Sequence, residues 1–250
     1  MRRSSKISLS MRSPEEVIPL LGKPSHWKTG RSAKELAQSW YYAKGFPTPI
    51  AALLAQSDTF QDAEFLDGWL ERETDLGDSR GTPSQTDMLG LVGTASGLAV
   101  LGIEAKVDES FGPIVAEWLT DGSFGKVERL KHLCGLLCVG PASITHLRYQ
   151  LFHRTTAVIL EAKRFRTNAA VLIIQSFCPR KTGLGDAVAF FDAIGLTGLA
   201  ADKLIGPKRF GDVDLWVGWA ADSVWNSFFD QPGAKGFPDR DQPLIADRKL

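Results

Sequence analysis

Residues 169–177, Ala-Ala-Val-Leu-Ile-Ile-Gln-Ser-Phe, offer neither face of a strand to water. A continuous apolar run of this length belongs inside a sheet covered on both sides. Residues 98–103, Leu-Ala-Val-Leu-Gly-Ile, have the same character. The chain must therefore supply two interior strands and enough amphipathic helix to cover both faces of their sheet. Helical patterning is expected over 32–44, 49–56, 60–70, 126–138, 145–165 and 186–194. A short helix starts at Ser13-Pro14-Glu15-Glu16, in the order of polar cap, proline and acid. Further strands are expected at 85–92 and 213–220. The first of these joins 98–107 as a hairpin through the glycine-bearing loop 93–97. The expectation is an α/β fold, a mixed sheet between helical layers.

At 250 residues the chain can bury about three quarters of its unfolded surface, so a core needs no disulfide or metal. Lys and Arg number 29 and Asp and Glu number 29, so no global field draws the protein onto nucleic acid or an anionic membrane. Any polyanion site must be a local patch. No apolar stretch is long enough for a membrane span, and the basic N-terminus lacks the apolar run of a signal peptide. The three cysteines, Cys134, Cys138 and Cys178, form no disulfide pattern, which points to a reducing cytoplasm. The expected organisation is a disordered lead-in over 1–12, with Met11 a candidate start. A helical N-terminal extension over 13–59 follows, then an α/β domain over 60–229 and a loose tail over 230–250.

The chemistry concentrates in the hairpin. With its centre between Ala95 and Ser96, Asp87 falls opposite Glu104, at the roughly 4.5–5.5 Å Cβ spacing of cross-strand pairs. Lys106, two residues beyond Glu104, shares its face. Two opposed carboxylates beside a core repel, and burying them is costly unless something neutralises them. A divalent cation with oxygen ligands does so, and Mg²⁺ is commonly held by one or two carboxylates plus phosphate oxygens. The competing reading is a surface salt-bridge cluster of no functional consequence.

Pro83-Ser84-Gln85-Thr86-Asp87 on one strand and Glu104-Ala105-Lys106 on the next resemble the motif of the PD-(D/E)xK nuclease superfamily, the restriction-endonuclease-like fold. The resemblance covers about 60–177. It departs from the pattern in one respect, since proline lies four residues before the aspartate. It implies Asp87 and Glu104 as metal ligands, the Ala105 carbonyl as a third, and Lys106 as the catalytic lysine. It also implies an acid from the preceding helix, Glu71 or Glu73. Closer still, Gly30-Arg31-Ser32-Ala33, Glu104-Ala105-Lys106-Val107-Asp108-Glu109 and Leu147-Arg148-Tyr149-Gln150-Leu151-Phe152-His153-Arg154 are similar to an uncharacterised bacterial family of predicted nucleases.

On the 145–165 helix, His146, Gln150, His153, Arg154, Glu161 and Arg164 form one polar stripe. Ile144, Leu147, Leu151, Val158 and Ala162 lie opposite. The functional reading puts Gln150 in the catalytic site and Arg154 on a substrate phosphate; the plain one is a solvated face. His132, Cys134 and Cys138 lack the four ligands of a zinc site. Gly122-Ser123-Phe124-Gly125-Lys126 lacks the spacing of a phosphate loop, and no G-x-S-x-G elbow occurs. Trp27, Trp40, Tyr41, Tyr42 and Phe46, interleaved with Lys28, Arg31, Lys34 and Lys44, read either as a stacking surface for nucleic acid or, more commonly, as core. Asp108 and Glu109 support the site or end the strand in solvent.

These readings lead to one expectation: Mg²⁺- or Mn²⁺-dependent phosphodiester hydrolysis of nucleic acid, with DNA the favoured substrate. A homodimer is a candidate assembly. The rivals are a catalytically silent nucleic-acid- or protein-binding module on the same fold, and an unrelated α/β protein with a coincidental Asp-Glu-Lys cluster.

Overall fold

The computed structural model describes residues 11–78, 81–140 and 143–224. The expected lead-in as far as residue 10 and the tail 230–250 lie outside the described residues. Six strands form one sheet in the order β1-β2-β3-β4-β6-β5: β1 (Glu64–Thr74), β2 (Ser84–Thr94), β3 (Gly97–Lys106), β4 (Ala169–Ser176), β5 (Lys203–Phe210) and β6 (Val213–Ala221). β3–β4 and β4–β6 are parallel and the other pairings antiparallel. The two runs that demanded interior positions, β3 and β4, lie side by side at the centre. Every residue of β4 is buried.

Two helical layers cover the sheet, as the mixed α/β expectation requires. On one face lie α4 (Phe124–Leu136), α5 (Tyr149–Arg164) and α6 (Leu184–Ala193). Leu151, Phe152, Val158 and Phe190 pack there against Val100, Leu172 and Ile174. The other face is covered by α1 (Ser32–Ala43) and α2 (Thr48–Leu54), with Leu36, Trp40, Ile50 and Leu53 against Ile103, Ala105 and Ile173. The short α3 (Val115–Trp118) precedes α4. Among the described residues no helix is long and apolar enough to cross a membrane.

The hairpin has the anticipated register, running from Thr94 opposite Gly97 to Met88 opposite Ile103. Its connection is only Ala95-Ser96, shorter than the expected 93–97 loop, because the glycines join the ladder. Elsewhere expectation and structure differ. The helix expected over 60–70 is a short 3-10 turn, Asp58–Phe60, followed by edge strand β1. Glu71 and Glu73 therefore stand on a strand and not on a preceding helix. Glu71 has φ 52°, in the left-handed region. That kink interrupts the alternation of the strand, so that Trp69 packs toward α5 while Arg72 and Thr74 bond Glu161 on the same helix. Contacts three residues apart on one face imitate a helical period. The helix expected from 145 begins at Tyr149, leaving His146 exposed in the preceding loop. β5 was not expected at all: Gly206 and Pro207 interrupt it, and it lies at the sheet edge with an irregular register between Ile205 and Lys208.

The approach of α5 to β3 depends on Gly102. A Cβ there would meet Val158 Cγ2 at 2.2 Å, well inside contact distance. Val158 thus lies on the sheet side of α5, not on the side away from the polar stripe. Overpacking of this kind costs about 1–3 kcal/mol. Gly102→Ala is expected to lower stability in urea denaturation by that amount, and Val158→Ala in the same chain to restore part of the loss. Equal losses with valine or alanine at 158 would show that the two residues do not set this approach.

Candidate active site

The β2–β3 ladder ends at Met88 and Ile103. One step further the strands are joined by a side chain, with the Ala105 N–H donating to Asp87 Oδ2 at 2.8 Å. Alternation along β2 and β3 turns Asp87, Glu104 and Lys106 toward α5, on the face of Leu89 and Val100. Glu104 is 1% exposed and Lys106 5%. A carboxylate this deep needs partners. Lys106 Nζ donates to Glu104 Oε1 at 2.7 Å and to Gln150 Oε1 at 3.1 Å. Gln150 Nε2 donates to Glu104 Oε1 at 2.6 Å. Arg154 Nε donates to Glu104 Oε2, and Arg154 Nη2 lies 3.8 Å from Asp87 Oδ1. One guanidinium therefore faces both carboxylates. The middle of the polar stripe is not a solvated face: Gln150 and Arg154 point into this cluster, and Glu161 is buried against Arg72 and Thr74 of β1, while His146 and Arg164 at its two ends reach solvent.

The carboxylates differ in electrostatic character. Burial works against ionisation of Glu104, but the charges of Arg154 and Lys106 prevail and hold its pKa well below the usual range. Burial and then the Glu104 charge push Asp87 upward. Glu71 stands across β1 from Asp87, in line with the flanking pairs Leu70–Met88 and Arg72–Thr86. Burial first, then Asp87, raise it to about 8. It lines a groove of about 990 Å³ that also contains Glu73, Gln85, Met88, Trp40 and Leu20. Glu73 is exposed in the same groove.

A second polar group braces the first. Arg154 Nη1 donates to Ser84 Oγ at 3.1 Å, and Ser84 Oγ lies 2.9 Å from His153 Nδ1. Burial, then the neighbouring Arg154 charge, lower the His153 pKa to about 3, so the ring that shares a hydrogen bond with the Ser84 hydroxyl is neutral. Arg129 of α4 donates to Tyr149 Oη at 2.7 Å, to Asp78 and to the Thr82 carbonyl. These bonds fix the segment entering β2 to the start of α5. Sequence reasoning assigned no role to Ser84, His153 or Arg129. The only signal was that Ser84 falls inside the 83–87 segment and His153 inside the polar stripe.

The other candidates lie elsewhere. His132 bonds the Leu76 carbonyl, Cys134 is core, and Cys138 is exposed. Lys126 bonds the Trp118 carbonyl and pairs with Asp121. Trp40 and Phe46 pack with Phe65, and Trp40 Nε1 donates to Gln175, so these two belong to the core, while Trp27 and Tyr41 are half-buried and Tyr42 is exposed. Asp108 is exposed and pairs with Arg180. Glu109 accepts from the Val107 and Ser32 N–H groups and ties the end of β3 to the start of α1.

The family that matches the chain does so over residues 10–224, a span that takes in both helical layers and all six strands. The chain belongs to this family, described as a domain of unknown function (DUF6946). No curated protein and no solved structure matches it.

His153 gives the cluster a pH signature. Its folded pKa lies below the ordinary 6.5. As pH falls under 6.5 the unfolded chain takes up a proton that the folded chain refuses. Stability is thus full above that pH and is lost toward pH 3, by up to about 1.4 kcal/mol per pH unit. Glu71 works in the opposite sense, its folded pKa of about 8 standing above the ordinary 4.5. Comparison of wild type with His153→Gln isolates the histidine. The difference in denaturation free energy is expected to be flat above pH 6.5 and to move in favour of the variant below it. Parallel curves across the whole range would show the ring to be freely protonated.

Proposed function

We propose that the chain is a metal-dependent phosphodiesterase acting on nucleic acid, with DNA the favoured substrate. The observation that carries this reading is the convergence of Asp87, Glu104 and Lys106 on one face at the open end of the β2–β3 hairpin, with Gln150 and Arg154 of α5 above them. It is the arrangement that the likeness to restriction-endonuclease-like enzymes implies.

The donor set suits a hard divalent cation. Among the described residues no three His, Cys, Asp or Glu side chains gather as a metal cage. Mg²⁺ does not need one, since it is usually bound through one or two carboxylates plus substrate phosphate oxygens. Asp87 and Glu104 would hold it. The Ala105 carbonyl, on the strand edge whose N–H already turns to Asp87, would complete the protein's share. Mn²⁺, which takes the same oxygen ligands, would substitute. When bound, such an ion supplies positive charge to the phosphate as negative charge develops on its oxygens. The chain's own groups do the rest. Lys106, held by Glu104 and Gln150, would offer its ammonium to the attacking water and to the charge that develops on the phosphate. Gln150 orients both Glu104 and Lys106. Glu71, with its raised pKa, can hold a proton at neutral pH at the border of the site.

One observation favours a second reading, a catalytically silent binding module. Glu104 is already satisfied by Lys106, Gln150 and Arg154, so the cluster is neutralised without any ion.

Two measurements separate the readings. Mg²⁺ or Mn²⁺ is expected to raise the Tm of wild type, since a ligand of the native state alone stabilises it, and Asp87→Asn to abolish the shift. In cleavage assays on single- and double-stranded DNA and RNA, Lys106→Ala is expected to lose about 10²–10³ in rate while keeping the metal-induced Tm shift. A metal shift with no cleavage of any substrate would support the silent module. Cleavage unchanged in Lys106→Ala would remove the lysine from the mechanism.

A further inference from the structure

Arg154 stands where a metal ion would have to act. It is 8% exposed. Its Nε donates to Glu104 Oε2, and its Nη2 faces Asp87 Oδ1 at 3.8 Å. These are the two carboxylates assigned above to a divalent cation, and a carboxylate oxygen cannot serve both cations at full strength. We propose that Arg154 is a resident counter-cation, that a divalent ion displaces it from Asp87 and Glu104, and that the freed guanidinium then grips the phosphodiester of the substrate. This inference rests on the metal-dependent reading and extends it to the order in which the site fills.

Three features of the site carry the inference. The first is the uneven hold on Arg154. Its one charged hydrogen bond is to Glu104, its approach to Asp87 is longer than a hydrogen bond, and its other partners are neutral, the Ser84 hydroxyl at 3.1 Å and His153 Nδ1 at 3.5 Å. A planar guanidinium fork matches a phosphate as well as it matches a carboxylate, so the exchange conserves its bonding. The second is that Glu104 does not depend on Arg154 for its position. Lys106 and Gln150 hold its other oxygen at 2.7 and 2.6 Å, so the carboxylate stays in place when the arginine leaves.

The third is charge. Asp87 and Glu104 face Lys106 and Arg154 in equal number, so a divalent ion entering among them leaves unbalanced positive charge in a buried setting, and an anionic phosphodiester offsets part of it. Because desolvated charges are costly when unbalanced, ion and diester should each strengthen the binding of the other.

The test uses the full chain with Mg²⁺ alone, then with dimethyl phosphate as a diester probe. In ¹⁵N-edited NMR the Arg154 Nε–H signal is identified by its loss in Arg154→Lys. It is expected to move on adding Mg²⁺, and again on adding dimethyl phosphate in the presence of Mg²⁺ but not without it. By calorimetry, Arg154→Gln is expected to bind Mg²⁺ about fivefold or more tightly than wild type, the lower end of typical coupling between sites. Arg154→Lys, which keeps the charge, should stay near wild type. If Arg154→Gln does not fold, the wild-type signal and the lysine variant decide. A wild type that binds Mg²⁺ while its Arg154 signal stays fixed overturns the displacement and leaves the metal reading intact. Absence of Mg²⁺ and Mn²⁺ binding in wild type and variants overturns both.

Discussion

A carboxylate buried in the centre of a sheet face is the constraint around which this molecule is arranged. Glu104 ends one of the most apolar strands in the chain and is almost without solvent. An uncompensated charge there would cost several kcal/mol. Its compensation comes from two elements: Lys106 from its own strand, and Gln150 with Arg154 from α5. Helix α5 must therefore lie directly over β3, and the strand is built to allow it. Gly102 removes the side chain that would hold Val158 away. The same seam thus carries a steric device in its middle and the polar cluster toward the end of β3, and each depends on the other for its register.

The elements around this seam act as braces. Arg129 binds the segment before β2 through Asp78 and the Thr82 carbonyl, and the start of α5 through Tyr149. Tyr149 also stacks on Trp118. Ser84, the first residue of β2, bonds both His153 and Arg154. Asp87 is thereby anchored from behind, while in front its carboxylate replaces the next rung of the ladder at Ala105. Polar groups held by second partners in this way stay in one geometry.

Much of this was legible in the sequence. The two-sided apolar runs gave the central strands, and the symmetry of the hairpin about Ala95-Ser96 set Asp87 opposite Glu104, because a short turn leaves little freedom of register. What failed to show has physical causes. Strand β1 is half-solvated at the sheet edge and kinked at Glu71, so its contacts repeat with an interval of three and resemble a helix. β5 is an edge strand broken by Gly206-Pro207. The roles of Ser84, His153 and Arg129 depend on side chains meeting across 69, 70 and 20 positions of sequence, and no local pattern records such meetings. The polar stripe of α5 was visible, but its direction was not. A stripe of glutamine, histidine and arginine fits water as well as it fits a buried carboxylate, and only the sheet beneath decides.

The kink at Glu71 connects the fold to the chemistry. A non-glycine residue held in the left-handed region costs of order 1 kcal/mol or more and persists where its surroundings impose it. Here Trp69 stacks on Phe165 while Arg72 and Thr74 bond Glu161, all on the α5 side. A regular strand could not send residues 69 and 72 to one face. The two anchors, Glu161 on α5 and Phe165 just past its end, force the turn between them. The residue at that turn is an acid, standing across from Asp87, its pKa raised by burial and then by the Asp87 charge. Packing at the far end of α5 therefore holds a third carboxylate at the border of the cluster, and the same helix carries Arg154 that balances the other two. One helix positions both the third carboxyl group and the cation that balances the other two, so a shift of α5 along the sheet would alter both together.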